Sequence, residues 1–499
     1  MPSALEIQTH LTPLLSPHAT ILLPSHPSFP PLLARWREYS SPHIILIIQV
    51  THESDVQKIV HYANQHSIPY IARAGGHGAT QALSQAQNAI QIDLRSMNHI
   101  TLSDHGQTAT IGGGANVKEV VDTLTRLGKR TGKFASPSQT IPNQPGKSKL
   151  ITQPVTGICE LVGFSAPTLG GGHGWLQGQY GLMADQVISA RLLLPSGELV
   201  TVSEKSYPEL FWAIRGAGHN FGLVMEWEYR VYDDNAPLWS YEIFIYSGDK
   251  LEALYEEANT LLRNQPAELV HWGYIIKVAE IDPDHPVLWF GIIYNGSPEI
   301  ANQYAKPFHD IGTLSVQTGQ GSLHDLAVVT FQDADGPGCA YGMTSLRYPI
   351  GLKSYNVTAV RQVYNQIDST FRKVPEIAGS FFLLEGYSTH AVKAIDAAST
   401  AFPHRDDNIL VTSYVMYAPD SNIDPIAKEF GEKLRKYLLD GSEDPEHLRA
   451  YVNYADGDES LQTIYGWETW RLEKLKKLKA QWDPKNIMRY YVPIEQDIN

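Results

Sequence analysis

The sequence predicts an α+β fold in two domains, and three observations carry that prediction. From residue 43 the chain alternates strand, helix and strand, and glycine clusters recur up to about 235. From about 236 to 445 those clusters thin out, and runs such as WSYEIFIYS, LVHWGYIIKV, VLWFGIIY, GSFFLLEGYS and ILVTSYVMYA alternate with helical segments. That pattern predicts an antiparallel sheet with helices, hence a second domain. The length of 499 residues also exceeds one ordinary core.

A short helix is expected within the Pro- and Ser-rich first 40 residues. HIILIIQV at 43–50 reads as a buried strand, SDVQKIVHYANQHS as a helix starting near Asp55, and IPYIARAGG as a strand entering a glycine turn. AIQIDL (89–94) and TATIGGGA (108–115) read as strands, and NVKEVVDTLTRLG as a helix closed by Gly128. Residues 133–154 hold four prolines and few large apolar side chains, which predicts an exposed loop, long for a compact domain. ISARLLL and ELVTVS predict a hairpin around Pro195, Ser196 and Gly197. ELFWAIRGAGHNFGLVMEWEYRVY predicts a short helix, a glycine turn and a strand. A last helix is predicted over 460–481, with Leu472, Leu475, Leu478 and Trp482 on one side.

Hydrophobic residues are 43% and charged residues 18%, as in a globular protein with large interiors. A formal charge of −14 disfavours a nucleic-acid partner, which needs basic patches. The two cysteines, Cys159 and Cys339, exclude a disulfide framework but leave room for one bridge. The first residues lack a basic stretch followed by an apolar core, and no apolar run is long enough to span a bilayer. These features predict an intracellular, cytoplasmic enzyme with no membrane partner, with secretion as the alternative. Triplets at Asn295 and Asn356 match the glycosylation pattern, which arises often by chance.

The stretch ARAGGHGA at 72–79 has two readings. It is a tight turn with His77 at the surface, or a loop lying on a phosphate-bearing cofactor, since glycines let backbone N–H groups approach an anion. Glycine loops at 75–78, 112–114, 157–163, 170–174 and 178–181 together fit close contact with one extended ligand. None has the strand–GxGxxG–helix context or the lysine of the common nucleotide loops, which argues against a nicotinamide dehydrogenase or an ATPase. No set of histidines and carboxylates has ligand spacing, so no metal is predicted.

RAGGHGA, IQIDLRSMN, TGICELVGF, TLGGGHGWLQGQYGLMADQV, LFWAIRGAGHNFGLV, YVNY and WDPKNIM occur in that order. Taken together they resemble the berberine-bridge-enzyme-like branch of the FAD-linked oxidases, with a PCMH-type FAD domain shared with vanillyl-alcohol oxidase. Within the branch the chain is most similar to fungal natural-product oxidoreductases. The resemblance is strong over 40–235, good over 445–495 and weak between. It implies an FAD-binding domain over 1–235, a substrate domain over 236–445 whose sheet covers the flavin, and a segment over 446–499 that returns to the FAD domain.

The resemblance also implies roles. The loop of Arg73, Gly75, Gly76 and Gly78 would carry the FAD pyrophosphate. His77 would bond to the flavin 8α-methyl and Cys159 to C6, giving bicovalent FAD, although Glu160 stands where proline is usual. Gly114, Thr156, Gly157, Gly163, Thr168, Gly171, Gly172, Gly174, Tyr180, Gly181 and Val187 would add cofactor contacts, with Asn486 and Tyr490 on the flavin's other side. His173 is expected to pack near the flavin, and Cys339 to be a buried inert thiol. Tyr454 is the candidate base and Tyr451 a substrate-positioning group, against the reading that both are core tyrosines on a strand. Tyr414 and Tyr417 are expected at the same pocket. An oxygen gate would fall at Thr168 or Leu169. Deleting 133–154 would join GKRTG to VTGICE and restore the family pattern, so that segment is expected to be an insertion.

The implied reaction is oxidation of a small organic substrate, an alcohol, amine or polyketide or alkaloid intermediate, by hydride transfer to flavin N5. O2 would accept the electrons and give H2O2, in secondary metabolism. The alternatives are a carbohydrate or alcohol oxidase, a dehydrogenase that does not use O2, and a non-redox cyclase with FAD as scaffold.

Overall fold

The computed structural model describes residues 2–127, 151–153, 155–234 and 238–495. The first sheet holds β1 (Thr20–Leu22), β2 (Ile44–Gln49), β3 (Tyr70–Arg73) and β4 (Ala89–Asp93) in the order β1-β2-β4-β3. β2, β4 and β3 are parallel, so a crossover must link them. The helix Glu53–Gln65 makes it, burying Val56, Ile59, Val60 and Ala63 at helical spacing. Asp55 is buried near its start and accepts hydrogen bonds from the Ser16 N–H (2.8 Å) and hydroxyl (2.6 Å). The glycine loop therefore leaves the carboxyl end of a parallel strand, where open α/β sheets place ligands.

The next strands are β5 (Ile100–Leu102), β6 (Thr108–Gly112), β7 (Ile151–Gln153), β8 (Val187–Leu193), β9 (Leu199–Ser203), β10 (Leu223–Arg230) and β11 (Tyr232–Asp234). Five form an antiparallel sheet in the order β5-β6-β10-β8-β9, with the expected β8–β9 hairpin turning at Gly197, whose φ is +91°. β7 pairs with β11, so the end of the expected loop is strand. Positions 133–150 and 154 of the expected insertion, and the helix-closing Gly128, lie outside the described residues.

The remaining strands, β12 (Trp239–Tyr246), β13 (Leu269–Ile276), β14 (Val287–Asn295), β15 (Ser315–Gly321), β16 (Thr344–Leu352), β17 (Phe381–Tyr387) and β18 (Ile409–Tyr417), form one antiparallel sheet in the order β15-β12-β14-β13-β17-β18-β16. Side-chain alternation divides its two faces. Trp272, Tyr274, Leu383 and Tyr387 join the core shared with the five-stranded sheet. Phe290, Tyr348, Phe382 and Leu384 pack under the helices Leu251–Leu262, Pro298–His309, Val357–Lys373 and Asp424–Asp440.

The closing segment departs from expectation in two places. The predicted helix over 460–481 is two helices, Leu461–Tyr465 and Thr469–Trp482. Gly466 breaks it with φ +100°, a left-handed conformation that ends a helix. YVNY is a 3₁₀ turn over Val452–Tyr454, not a strand. Lys479 is fully buried and donates to Asp483 (2.7 Å), the Met488 carbonyl (2.8 Å) and the Asn220 carbonyl (3.0 Å). Asn220 in turn donates to the Val492 carbonyl and accepts from the Ile494 N–H. These bonds clamp the last described residues onto the turn Gly218–Asn220. Among the described residues no helix is long and apolar enough to cross a membrane.

Candidate active site

A cleft of about 330 Å³ runs between the 73–78 loop and the sheet face carrying Trp272, Leu383, Tyr387, Tyr414 and Arg347. That volume is at the lower end of the ~300–1,000 Å³ usual for small-molecule sites. The loop is shaped by packing. A Cβ on Gly75 would run into the Leu161 carbonyl and the Gly163 amide, so loop 75–78 lies directly on segment 157–163. Gly76 has φ +79° and sits against the Arg73 guanidinium. Arg73 itself is fixed by donating to the Leu32 carbonyl and, at 2.6 Å, to the Ala34 carbonyl. The Tyr341 hydroxyl donates to the Gly75 carbonyl at 2.6 Å.

His77 opens to this cleft, stacked near Trp36 (centroids 6.0 Å) and edge-on to Tyr341 (5.4 Å). Burial pushes its imidazole down to about 3, so the ring is neutral at physiological pH. Its Nδ1 is buried without a partner. Both ring nitrogens of His219, another cleft residue, are also buried and unpartnered, and that ring stacks on Tyr491 at 4.4 Å. Buried polar atoms in native proteins normally have partners. Unpaired nitrogens, a glycine cradle and stacked aromatic rings fit a planar, polar cofactor such as the flavin.

The cysteines correct one expectation. Cys339 is not a lone inert thiol: it forms a disulfide with Cys159, and no cysteine is free. Cys159 Sγ lies 3.9 Å from His77 Nε2, so the two residues expected to hold the flavin are neighbours. The ligand atoms of His77, Cys159 and Cys339 fall within 4.8 Å of one another, a cluster the sequence did not suggest. With both sulfurs bonded, neither is the thiolate that ligates a metal. Glu160 explains its departure from the family pattern. Its N–H donates to the Gln332 carbonyl (3.1 Å), a bond proline cannot make, and its carboxylate accepts from His324 (2.5 Å) and the Ala334 N–H (2.9 Å). Residues 159–160 are thereby tied to 324–339.

The YVNY turn brings its tyrosines to the cleft. Tyr451 accepts from Asn453 (2.6 Å) and from the His173 N–H (3.3 Å), and Asn453 also donates to the Pro167 carbonyl. The Tyr454 hydroxyl donates to Glu385 Oε1 at 3.3 Å, and Tyr387 donates to the same oxygen at 2.7 Å. Glu385 is fully buried, its Oε2 unpartnered. Burial lifts its carboxyl to about 8, against the two tyrosine hydrogen bonds that lower it. Burial also raises Tyr454 well above an ordinary phenol. Tyr414 lies edge-on to Tyr454 (6.2 Å) and is raised to about 12 by burial. His173 lines the cleft between Tyr451 (4.6 Å) and Tyr387 (6.0 Å), pushed down to about 4 by burial.

Of the anticipated residues, Arg73, Gly75, Gly76, His77, Gly78, Gly157, Cys159, Gly163, Tyr414, Tyr451, Tyr454 and Tyr490 line the cleft. Ten others do not, and most have packing reasons. Gly114 and Gly174 touch the backbone at Leu94 and Thr156, where a Cβ would collide. Gly171 and Gly172 have positive φ and pack on Phe402 and Met183, and Gly181 takes φ +90° against Asp185. Tyr180 stacks on Tyr232 (3.8 Å). Thr168 is buried and donates to the Phe164 carbonyl, Thr156 is buried, Val187 opens β8 in the core, and Asn486 sits in a left-handed turn. Of the two gate candidates, Leu169 reaches the cleft. Tyr417 instead packs on the helix-covered face and donates to Asp424. Sequence reasoning missed Trp36, Arg347, Glu385, Tyr387 and Tyr491, and misassigned Cys339 as a lone thiol. Tyr491 adjoins the anticipated Tyr490; Arg347, Glu385 and Tyr387 lie on β16 and β17, where they look like ordinary sheet residues, and Cys339 is joined to Cys159 only by the fold.

Residues 44–141 match the family model of an FAD binding domain, and 450–495 match that of berberine and berberine-like proteins. The chain is 36% identical over 496 residues to the FAD-linked oxidoreductase anuG of Penicillium roqueforti, covering 99% of this chain and 92% of that one. It is 37% identical over 485 residues to the FAD-linked oxidoreductase chyH of Penicillium rubens, covering 96% and 92%. A glucooligosaccharide oxidase from Acremonium strictum, described with a 6-S-cysteinyl, 8α-N1-histidyl FAD, superposes with a TM-score of 0.80 at 18% identity over 99% of this chain and 100% of that one. With the family's two segments in place around one cleft, and full-length relatives above 30% identity, the chain belongs to the berberine-bridge-enzyme-like FAD-linked oxidoreductases.

Proposed function

We propose that the protein oxidises a small organic substrate of the natural-product type, with Tyr454 and Glu385 removing the substrate proton and O2 taking up the electrons as H2O2. When bound, FAD supplies the hydride acceptor. The observation that carries the reading is the Tyr454–Glu385 hydrogen bond at the cleft wall. A buried phenol raised well above 10 cannot ionise alone at neutral pH. Ionised Glu385 draws the Tyr454 proton as the phenol oxygen takes one from the substrate O–H or N–H. Tyr387 holds Glu385 in place, and Asn453 with the His173 N–H holds Tyr451 beside it.

His77 is the attachment residue for the 8α position in this reading, supported by its neutral ring and unpartnered Nδ1 and by the histidyl linkage of the Acremonium strictum oxidase. Cys159 is the second attachment residue, available once its bond to Cys339 is reduced. Domain limits at 235 and 445 fit the change from mixed sheets to the seven-stranded sheet and back. Screening alcohols, amines and polyketide-like phenols for H2O2 release tests the activity. Tyr454→Phe should lower turnover about 10²–10⁴-fold, the usual worth of a general base. Unchanged turnover in that variant removes Tyr454 from the reaction.

A further inference from the structure

Arg347 is a cation without a counter-charge on the wall of the cleft. It stands on β16 opposite Tyr414 of β18 and is only 5% exposed. Its guanidinium carbon lies 5.5 Å from the ring centroids of both Trp36 and Tyr454. Nε and Nη2 are buried and have no hydrogen-bond partner. Its polar neighbours are the phenols of Tyr414 and Tyr491, which lie within hydrogen-bonding reach of the guanidinium and whose ionisation it eases. Among the described residues it makes no ion pair. Other buried arginines have acceptors: Arg37 pairs with Asp456 at 2.5 Å and Arg405 with Asp185 at 2.6 Å, while Arg73 donates to the Leu32 and Ala34 carbonyls and Arg35 to the Gln91 side chain at 3.1 Å.

An unpaired buried charge is costly, and two aromatic faces offset only part of that cost. The arrangement is stable when an anion completes it. A planar guanidinium whose Nε–Nη2 edge is unpartnered matches a carboxylate, which it can hold through parallel hydrogen bonds. The Arg347 guanidinium faces the Tyr454 ring, so a carboxylate held there would lie beside the proposed base.

We infer that Arg347 is the substrate-anchoring residue and that the substrate carries a carboxylate close to the carbon that loses hydride. This rests on the proposed reaction for which group lies next to the carboxylate, but the anchor itself can be read by binding alone. The FAD-loaded enzyme is titrated with benzoate and with benzamide, the neutral isostere, by calorimetry and by the flavin absorbance bands. Benzoate should bind at least about 10-fold more tightly, since one charge-assisted pair replaces a neutral contact. Arg347→Met and Arg347→Gln should weaken benzoate at least about 30-fold and change benzamide by less than about 3-fold. Equal binding of the two probes to the wild type overturns the inference, whether or not the variants fold. Retained benzoate affinity in a flavin-loaded variant overturns it as well. Tyr454→Phe separates the two readings: it should keep benzoate affinity while losing turnover. Lost turnover with no benzoate preference leaves the proposed reaction and removes the anchor. An intact preference with unchanged turnover in Tyr454→Phe does the reverse.

Discussion

Tyr454 and Glu385 share one buried hydrogen bond of 3.3 Å, and Tyr387 donates to the same carboxyl oxygen. In the proposed reaction the pair would set a pH dependence. Burial holds the Glu385 carboxyl up at about 8, so below that pH it is protonated and cannot accept the Tyr454 proton. kcat/KM should rise with pH through about 8 and level off above it, and Glu385→Gln should flatten that limb and lower the plateau about 10²–10⁴-fold. The same shift acts on stability with the opposite sign. The folded pKa is raised above the unfolded one, so the contribution is fully present below the unfolded value and lost as pH rises through about 8. Melting of Glu385→Gln should therefore fall less than that of the wild type between pH 7 and 9. An activity limb that stays near 8 in Glu385→Gln assigns it to another group.

If flavin is attached at His77 and Cys159 as proposed, the Cys159–Cys339 bond makes its loading depend on thiol chemistry. On that reading only Cys159 is left to attach FAD in His77→Ala, and it would do so only as a free thiol. Loading that variant with FAD, precipitating it in acid and measuring intact mass should give protein without flavin. Pretreatment with a dithiol, or the added change Cys339→Ser, should give protein plus one flavin. A flavin mass in untreated His77→Ala would show that Cys159 is free in solution. Cys159→Ala should keep one flavin through His77, and the double variant none.

How far the sequence discloses this site follows from which residues carry local constraints. Gly75, Gly76 and Gly163 are legible because no side chain fits where their Cβ atoms would stand. β12, β13, β14, β17 and β18 are legible as apolar runs between turn signals. β15 is polar and exposed, and β16 carries Arg347 and Pro349, so neither has a strand's usual composition. Glu385 and Arg347 look like ordinary strand residues; their roles arise from register, which sets Arg347 opposite Tyr414 and Glu385 opposite Trp272. The long helix read over 460–481 failed at Gly466, where a positive φ overrides helical periodicity on both sides. Cys339 lies 180 residues from Cys159, and no local pattern links them.

Gly76 offers a test of the loop that separates shape from stability. Its φ of +79° is a left-handed conformation, and an added Cβ would stand 2.9 Å from the Arg73 Nε. Alanine there costs about 1–2 kcal/mol in backbone strain alone. It also pushes on the guanidinium that fastens the loop to the Leu32 and Ala34 carbonyls. Gly379 is the control, with no atom within 4 Å of its added Cβ and no positive φ. Gly379→Ala should lie within about 0.5 kcal/mol of the wild type and keep its full flavin content. Gly76→Ala should lower the melting temperature and, because the loop and His77 move together, reduce the fraction carrying FAD more than tenfold at equal FAD supply. Full flavin content in folded Gly76→Ala would mean that the loop's backbone shape does not position the cofactor.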